Sequence, residues 1–355
     1  MIGHRKGRGA VSNRAGRFAG QTLEHVEEDW SVELDGLPKL ATVVRAEVAG
    51  SIISRNASPD VPFEQSINPY RGCEHGCVYC FARPTHSYLD LSPGLDFETR
   101  LYYKSNASDL LAAELRRPGY VCKPITIGAN TDPYQPIERE QRITRRLLET
   151  MLEFRHPVSL ITKGSLIQRD LDLLSALAGL DLVSVHVSVT SLDVDLKRTL
   201  EPRAASADAR LRVIERLSKA GVPTGALIAP VIPALTDHEL EAIVERVAAA
   251  GARSAGYVLL RLPHEVAGLF IEWLETHYPD RARHVMSLIR QSRGGKDYDS
   301  AWAKRMRGSG QFADLIEKRF RLACRRHGLD QRRDDALRTD LFHRPLRNGD
   351  QVELF

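Results

Sequence analysis

Short apolar runs alternate with amphipathic segments through the middle of the chain. The runs 65–70 (QSINPY), 124–129 (PITIGA), 157–162 (PVSLIT), 182–190 (LVSVHVSVT), 223–232 (PTGALIAPVI) and 255–262 (AGYVLLRL) are short and β-rich, and predict strands. Between them, 106–117, 137–154, 170–180, 206–221 and 236–251 place apolar residues at helical spacing. Asn106 or Ser108 suits the first of these helices as N-cap. In 206–221, Leu211, Ile214 and Leu217 share a face and Gly221 stands where a C′ residue belongs. Thr236 and Glu239 have the spacing of a capping box. The stretch 137–154 reads as one long helix.

Six β-α units in a row imply a parallel sheet with crossover helices. The expected fold is α/β, a partial (β/α)6 barrel or an open doubly wound sheet. In either, the site lies at the C-terminal ends of the strands. The expected organisation is an N-terminal extension at 1–60, a core at 61–264, a helical segment at 265–326 and a charged tail at 327–355. Residues 1–20 are expected to be disordered, and 40–55 to hold one strand.

Composition narrows the class. Apolar residues make up 43% and charged residues 27% of the chain, as in an ordinary globular protein. No apolar stretch reaches the roughly 18 residues of a membrane span. The basic start lacks the apolar core of a secretory signal, so the expected location is cytoplasmic. The net charge of +4 hides an asymmetry, because residues 281–347 hold 18 Lys/Arg against 8 Asp/Glu. Such an end segment suits a polyanion such as nucleic acid, and equally a solvated arginine-rich surface.

Three of the five cysteines fall in Gly72-Cys73-Glu74-His75-Gly76-Cys77-Val78-Tyr79-Cys80, directly after the first predicted strand. In a reducing compartment this reads as a metal site rather than a disulfide framework. Three thiolates on one loop can each take a different iron of a [4Fe–4S] cubane and leave the fourth iron open. Gly72 and Gly76 allow a tight wrap. The competing reading is structural zinc with His75 or His86 as fourth ligand, although no second cysteine knuckle appears.

The C-x3-C-x2-C spacing after strand one resembles the hallmark of the radical S-adenosylmethionine (SAM) superfamily, whose partial barrel the six β-α units match. The resemblance implies SAM on the open iron, an external electron donor such as flavodoxin or ferredoxin, and reductive cleavage to methionine and a 5′-deoxyadenosyl radical. The segments GCEHGCVYC, TIGANTDPYQPIE, LITKGSL, VSVTS, LEPR and AGVPTGALIAP resemble its spore-photolyase-like branch over about 65–235. That branch implies an enzyme abstracting hydrogen from a nucleic-acid base in DNA repair or modification. The alternatives are an RNA- or peptide-modifying enzyme, or a clamp-associated protein with a structural or redox-sensing cluster.

The resemblance places Asn130 and Thr131 near the SAM amino group, although Asp132-Pro133 equally suits a turn. It gives Lys163 the SAM carboxylate. Ser188, with Thr190 and Ser191, suits ribose or carboxylate, and Arg203 suits SAM or a substrate phosphate with Glu201 as its partner. The run Ala229-Pro230-Val231 passes near adenine. Glu138 is expected only to complement a helix dipole. Tyr79, beside the last thiolate, is the catalytic candidate; Tyr79, Tyr88 and Tyr134 are candidates for relaying a radical or for packing. One departure stands out: the branch's hydrogen-donor cysteine near the end of strand two has no counterpart in Gly128-Ala129-Asn130-Thr131, and Cys122 sits at the other end of that strand. Finally, Gln351, Leu354 and Phe355 resemble the peptide by which bacterial DNA-handling proteins dock on the sliding clamp.

Overall fold

All six expected strands pair side by side. The computed structural model describes residues 5–18, 40–330 and 336–345. Its strands are β1 (Val43–Glu47), β2 (Ile53–Arg55), β3 (Gln65–Ile67), β4 (Tyr70–Arg71), β5 (Arg100–Lys104), β6 (Ile125–Ile127), β7 (Val158–Thr162), β8 (Val183–Ser188), β9 (Thr224–Val231) and β10 (Ser254–Leu259). The main sheet runs β2-β3-β6-β7-β8-β9-β10, antiparallel only at β2–β3. The six parallel strands β3 and β6 to β10 form the partial barrel, antiparallel β2 extends it, and among the described residues the edge strands β2 and β10 do not pair. Ala303 N donates to Asp60 Oδ1 at 2.6 Å, and Arg305 pairs with the same carboxylate. These contacts tie the C-terminal region to the loop between β2 and β3.

The expected 40–55 strand is two, β1 and β2. β1, β5 and β4 form a small side sheet, and β4 leads straight into the cysteine loop.

Period-two burial in the strands supplies the core. Val158, Leu160, Val183, Val185 and Val187 are wholly buried against Leu147, Leu174, Ile214 and Leu217 of the covering helices. Each such side chain contributes about 1.5–3 kcal/mol by leaving water. Ser206 accepts from Ala209 N at 3.3 Å as N-cap of the helix Ala207–Lys219, and Gly221 takes φ +79° after it. The C-terminal segment is helical at Glu265–His277, Pro279–Gln291, Lys304–Arg307 and Gln311–Arg326.

Four local expectations need correction. The single helix over 137–154 is two, Glu138–Gln141 and Ile143–Glu153, with Arg142 left-handed at φ +49°. The cause is Glu138: it is fully buried, accepts from Thr144 N at 3.0 Å and so starts a new helix there. The Thr236–Glu239 capping box does not form, because Thr236 Oγ1 accepts from Ile232 N at 2.8 Å while Glu239 takes Ser191 Oγ at 2.5 Å. Asn106 is the N-cap residue but its amide binds Ala49 instead, accepting from N at 3.0 Å and donating to O at 2.9 Å. The expected disorder of 1–20 does not hold for 5–18, which pack on the core with Ala10 fully buried. The expected docking residues Gln351, Leu354 and Phe355 lie outside the described residues. Among those described, no helix is long and apolar enough to cross a membrane.

Candidate functional site

The cysteine loop leaves β4 and ends in the 3-10 turn Arg83–Leu89. Gly72 and Gly76 take φ +75° and +69°, the left-handed conformation that lets the loop double back. Backbone bonds fix it from several sides: Cys73 N to Phe97 O at 2.9 Å, Val78 N to Leu200 O at 3.1 Å, and Arg203 N to His75 O at 3.2 Å. Gln135, fully buried, bridges the loop by accepting from Glu74 N at 3.0 Å and donating to Gly72 O at 3.1 Å.

Beneath the loop lies a buried ion pair. Arg83 Nη2 meets Glu98 Oε1 at 2.5 Å with both side chains fully enclosed. Arg83 also donates to Cys77 O at 2.9 Å, Pro93 O at 3.0 Å and Gly94 O at 2.9 Å. Glu98 in turn accepts from Gly9 N at 3.0 Å and Ala10 N at 2.8 Å. The N-terminal strap thus presses on the cysteine loop, so closely that a Cβ on Gly9 would lie 1.7 Å from Gly76 O.

Burial pushes all three thiols up: Cys73 well above its ordinary value, also opposed by Asp132, Cys77 to about 12, and Cys80 in the same direction. Thiolates there require positive charge brought by a ligand, as an iron cluster provides. Each of the two histidines considered for zinc has one ring nitrogen engaged, and His86 Nδ1 is buried without a hydrogen-bond partner. His75 Nδ1 lies 3.4 Å from Asp132 Oδ2, and His86 Nε2 lies 2.9 Å from Arg100 O. Among the described residues no three His, Cys, Asp or Glu side chains gather around one ion position. Cys73, Cys77 and Cys80, on one loop and without disulfide partners, are the residues able to hold an iron–sulfur cluster.

Around the loop stand the ends of the parallel strands. Lys163, after β7, sends its ammonium over the Tyr79 ring at 5.9 Å. It lowers the thiol values of Cys77 and Cys80, so its charge faces the loop. Tyr79 is buried, and its hydroxyl donates to Glu201. Thr190 Oγ1 donates to Glu201 Oε1 at 2.8 Å, and Arg210 pairs with the same carboxylate. Burial works against the Glu201 charge, yet Arg210 and Lys163 hold it down to about 2. Arg210 Nη1 also donates to Ser188 O at 3.0 Å, which sets the end of β8.

Asp132 makes a turn, accepting from Tyr134 N at 2.9 Å, but it also locks β7 through Thr162 Oγ1 at 2.7 Å and Lys163 N at 2.6 Å. Burial opposes its charge too, while His75 and these donors bring it to about 2. Thr131 is buried and spends its proton on Tyr70 O at 2.8 Å. Asn130 is exposed at the end of β6, with its N–H on Asn68 Oδ1 at 2.9 Å.

Two pairings differ from expectation. Glu201 partners Arg210 rather than Arg203, because Arg210 projects from the helix Ala207–Lys219 into the strand ends. Arg203 instead reaches Glu74 at 3.2 Å and braces the loop. Glu138 is more than a dipole partner, taking Tyr70 Oη and Arg169 Nη2, the latter at 2.6 Å. Sequence reasoning missed Gln135, Arg83, Glu98 and Arg210. Proximity to the cysteine motif marked only Arg83, while Gln135 stood in the segment TIGANTDPYQPIE without a role of its own.

Residues 67–247 match the family model described as the radical SAM superfamily. The chain belongs to that superfamily. Radical SAM proteins use a [4Fe–4S] cluster and SAM, and they require an electron donor. An uncharacterized protein of Mycobacterium tuberculosis is 38% identical over 233 residues, 65% of this chain and 68% of that one. One from Methanocaldococcus jannaschii is 28% identical over 173 residues, 49% and 62% of the two chains. Among solved structures, spore photoproduct lyase complexed with dinucleoside spore photoproduct superposes with a TM-score of 0.59 and 15% identity, over 80% of this chain and 79% of that one. At that identity the likeness shows the shared fold.

Proposed function

We propose that this radical SAM enzyme abstracts a hydrogen atom from a nucleic-acid base, in repair or modification of the polymer. The observation that carries the chemistry is the single loop of three thiols, Cys73 and Cys77 buried and Cys80 partly so, beside Lys163 and Tyr79 at the strand ends. When bound, the reduced cluster and SAM supply a 5′-deoxyadenosyl radical and methionine. Cys73, Cys77 and Cys80 hold the cluster. Lys163 supplies a charge-assisted contact for a carboxylate. Ser188, Asn130 and Thr131 line the neighbouring strand ends, and Arg203, through Glu74, keeps the loop in register. Tyr79 is fixed by Glu201 and Thr190, so its ring can serve as a rigid wall against the cofactor.

The nucleic-acid reading is supported by the fold shared with a lyase whose bound ligand is a dinucleoside photoproduct and by the excess of Lys/Arg in 281–347. Return of hydrogen through a cysteine at the end of β6 is not part of the proposal. Cys122 precedes that strand at its opposite end, and Cys324 is buried in the helix Gln311–Arg326.

Anaerobically reconstituted protein should release 5′-deoxyadenosine on reduction, and Cys77→Ala should lose both the cluster and this release. With DNA and RNA deuterated in their bases, mass spectrometry should find the label in 5′-deoxyadenosine. Deoxyadenosine that never carries label from either polymer would sink the substrate class.

A further inference from the structure

Large apolar rings left in water are informative when they cluster beside a site. Tyr88 is 68%, Phe18 51% and Phe81 41% exposed. Each faces a guanidinium. Arg17 lies 5.0 Å over the Phe18 ring and 5.6 Å over Tyr88, whose own centroids are 5.0 Å apart, and Arg261 lies 5.0 Å over Phe81.

The two groups belong to one rim. Phe81 directly follows Cys80, and Tyr88 stands in the 3-10 turn that continues from it. The opposing side is the short connection from β10 to the helix Glu265–His277. Arg261 at its start covers Phe81. Glu265 at its end accepts from Arg17 N at 3.0 Å and Ser87 Oγ at 3.3 Å. His264 between them takes φ +51°, an unusual conformation for a non-glycine residue. One turn and one connection therefore hold both cation–aromatic groups beside the cysteine loop.

Rings that present a face and guanidiniums that present charge match a base stacked next to a phosphate. A duplex hides its base faces and offers mainly phosphates and groove edges, and chemistry on a base requires it to leave the stack. We infer that this rim binds unpaired nucleotides by stacking, with Tyr88 and Phe18 as one station and Phe81 as another. The inference rests on the nucleic-acid reading above and sharpens it: the enzyme takes single-stranded or locally opened polymer with little preference for sequence.

Anaerobic holoprotein with SAM would be titrated into fluorescent single-stranded and duplex oligonucleotides, of DNA and of RNA, with binding read by anisotropy. The two sugars show which polymer supplies the bases. Single strands should bind about tenfold tighter than the duplex of the same sequence. Tyr88→Ala should weaken single-strand binding about tenfold with duplex binding nearly unchanged, and Tyr88→Phe should restore it. Arg17→Gln should flatten the salt dependence by about 0.7 in the log–log slope. Iron content and thermal melting show that the variants are folded. If the wild type binds single strands and Tyr88→Ala binds them equally well, or if Tyr88→Ala weakens duplex as much as single strand, the stacking rim is wrong while the nucleic-acid reading stands. If the wild type binds neither DNA nor RNA at low salt, that reading falls and the rim with it.

Discussion

Replacing Glu98 by alanine tests how the cysteine loop is held. In the native protein the Glu98 carboxylate meets Arg83 Nη2 at 2.5 Å and the N–H groups of Gly9 and Ala10 at 3.0 and 2.8 Å. Removing it leaves a fully buried guanidinium with only the carbonyls of Cys77, Pro93 and Gly94. Breaking one partner out of a buried ion pair costs about 3–5 kcal/mol. Each strap N–H left buried and unbonded would add about 1–3 kcal/mol. That second cost has an escape, since the strap can lift and give its N–H groups to water. The expected outcome is a loss of about 4 kcal/mol with detachment of residues 5–18. Urea unfolding of anaerobic holoprotein measures the first, and the rate of tryptic cleavage at Arg14 and Arg17 measures the second. Glu98→Gln should fall between, keeping an acceptor but losing the charge. Gly9→Ala should also speed cleavage, since its Cβ would sit 1.7 Å from Gly76 O, while leaving the Arg83–Glu98 pair intact. A Glu98→Ala protein that loses less than about 1 kcal/mol and is cut no faster than wild type would refute the reasoning.

His156 is fully buried, its Nδ1 2.9 Å from Pro157 O and its Nε2 2.8 Å from Tyr120 Oη, and burial lowers it to about 4. The folded value lies below the unfolded one, so its contribution is present in full above pH 6.5 and lost as pH falls towards about 4. The loss reaches about 3 kcal/mol; His156→Gln should flatten the acid limb of unfolding free energy against pH, and an unchanged slope would contradict this. Glu201→Gln should cost about 3–5 kcal/mol by stripping the buried Arg210 of its counter-charge. It should also loosen Tyr79, read as a shifted cluster EPR signal in the presence of SAM; an unchanged signal and melting curve would exclude the role given to Glu201.

What could be read from the chain was local. The six strands announced themselves because each is a β-rich run bounded by turns, and the cysteine loop because its three cysteines fall within eight residues. The end of Ala207–Lys219 at Gly221 was legible for the same reason. The break at Arg142 was not, since it depends on Glu138 reaching forward from a site buried by Tyr70 and Arg169. Nor was the strap, whose fixed points at Gly9 and Ala10 are 89 and 88 residues from Glu98. In the candidate site, Lys163 and Tyr79 were picked out by position, after a strand and beside a cysteine, and they stand together with the Lys163 ammonium 5.9 Å over the Tyr79 ring. Arg203 and Glu201 were paired wrongly because sequence proximity stood in for contact, while the true partner, Arg210, comes from the next helix.

The unpaired edges of the barrel have a topological consequence. Among the described residues no backbone ladder joins β10 to β2, and the loop after β2 is held instead at Asp60 by Ala303 N and Arg305. Parting such a seam breaks a few contacts, whereas unzipping a ladder would break a whole row of them together. On the nucleic-acid reading proposed above, a seam of that kind would give an internal nucleotide a lateral way in, with no free end to thread.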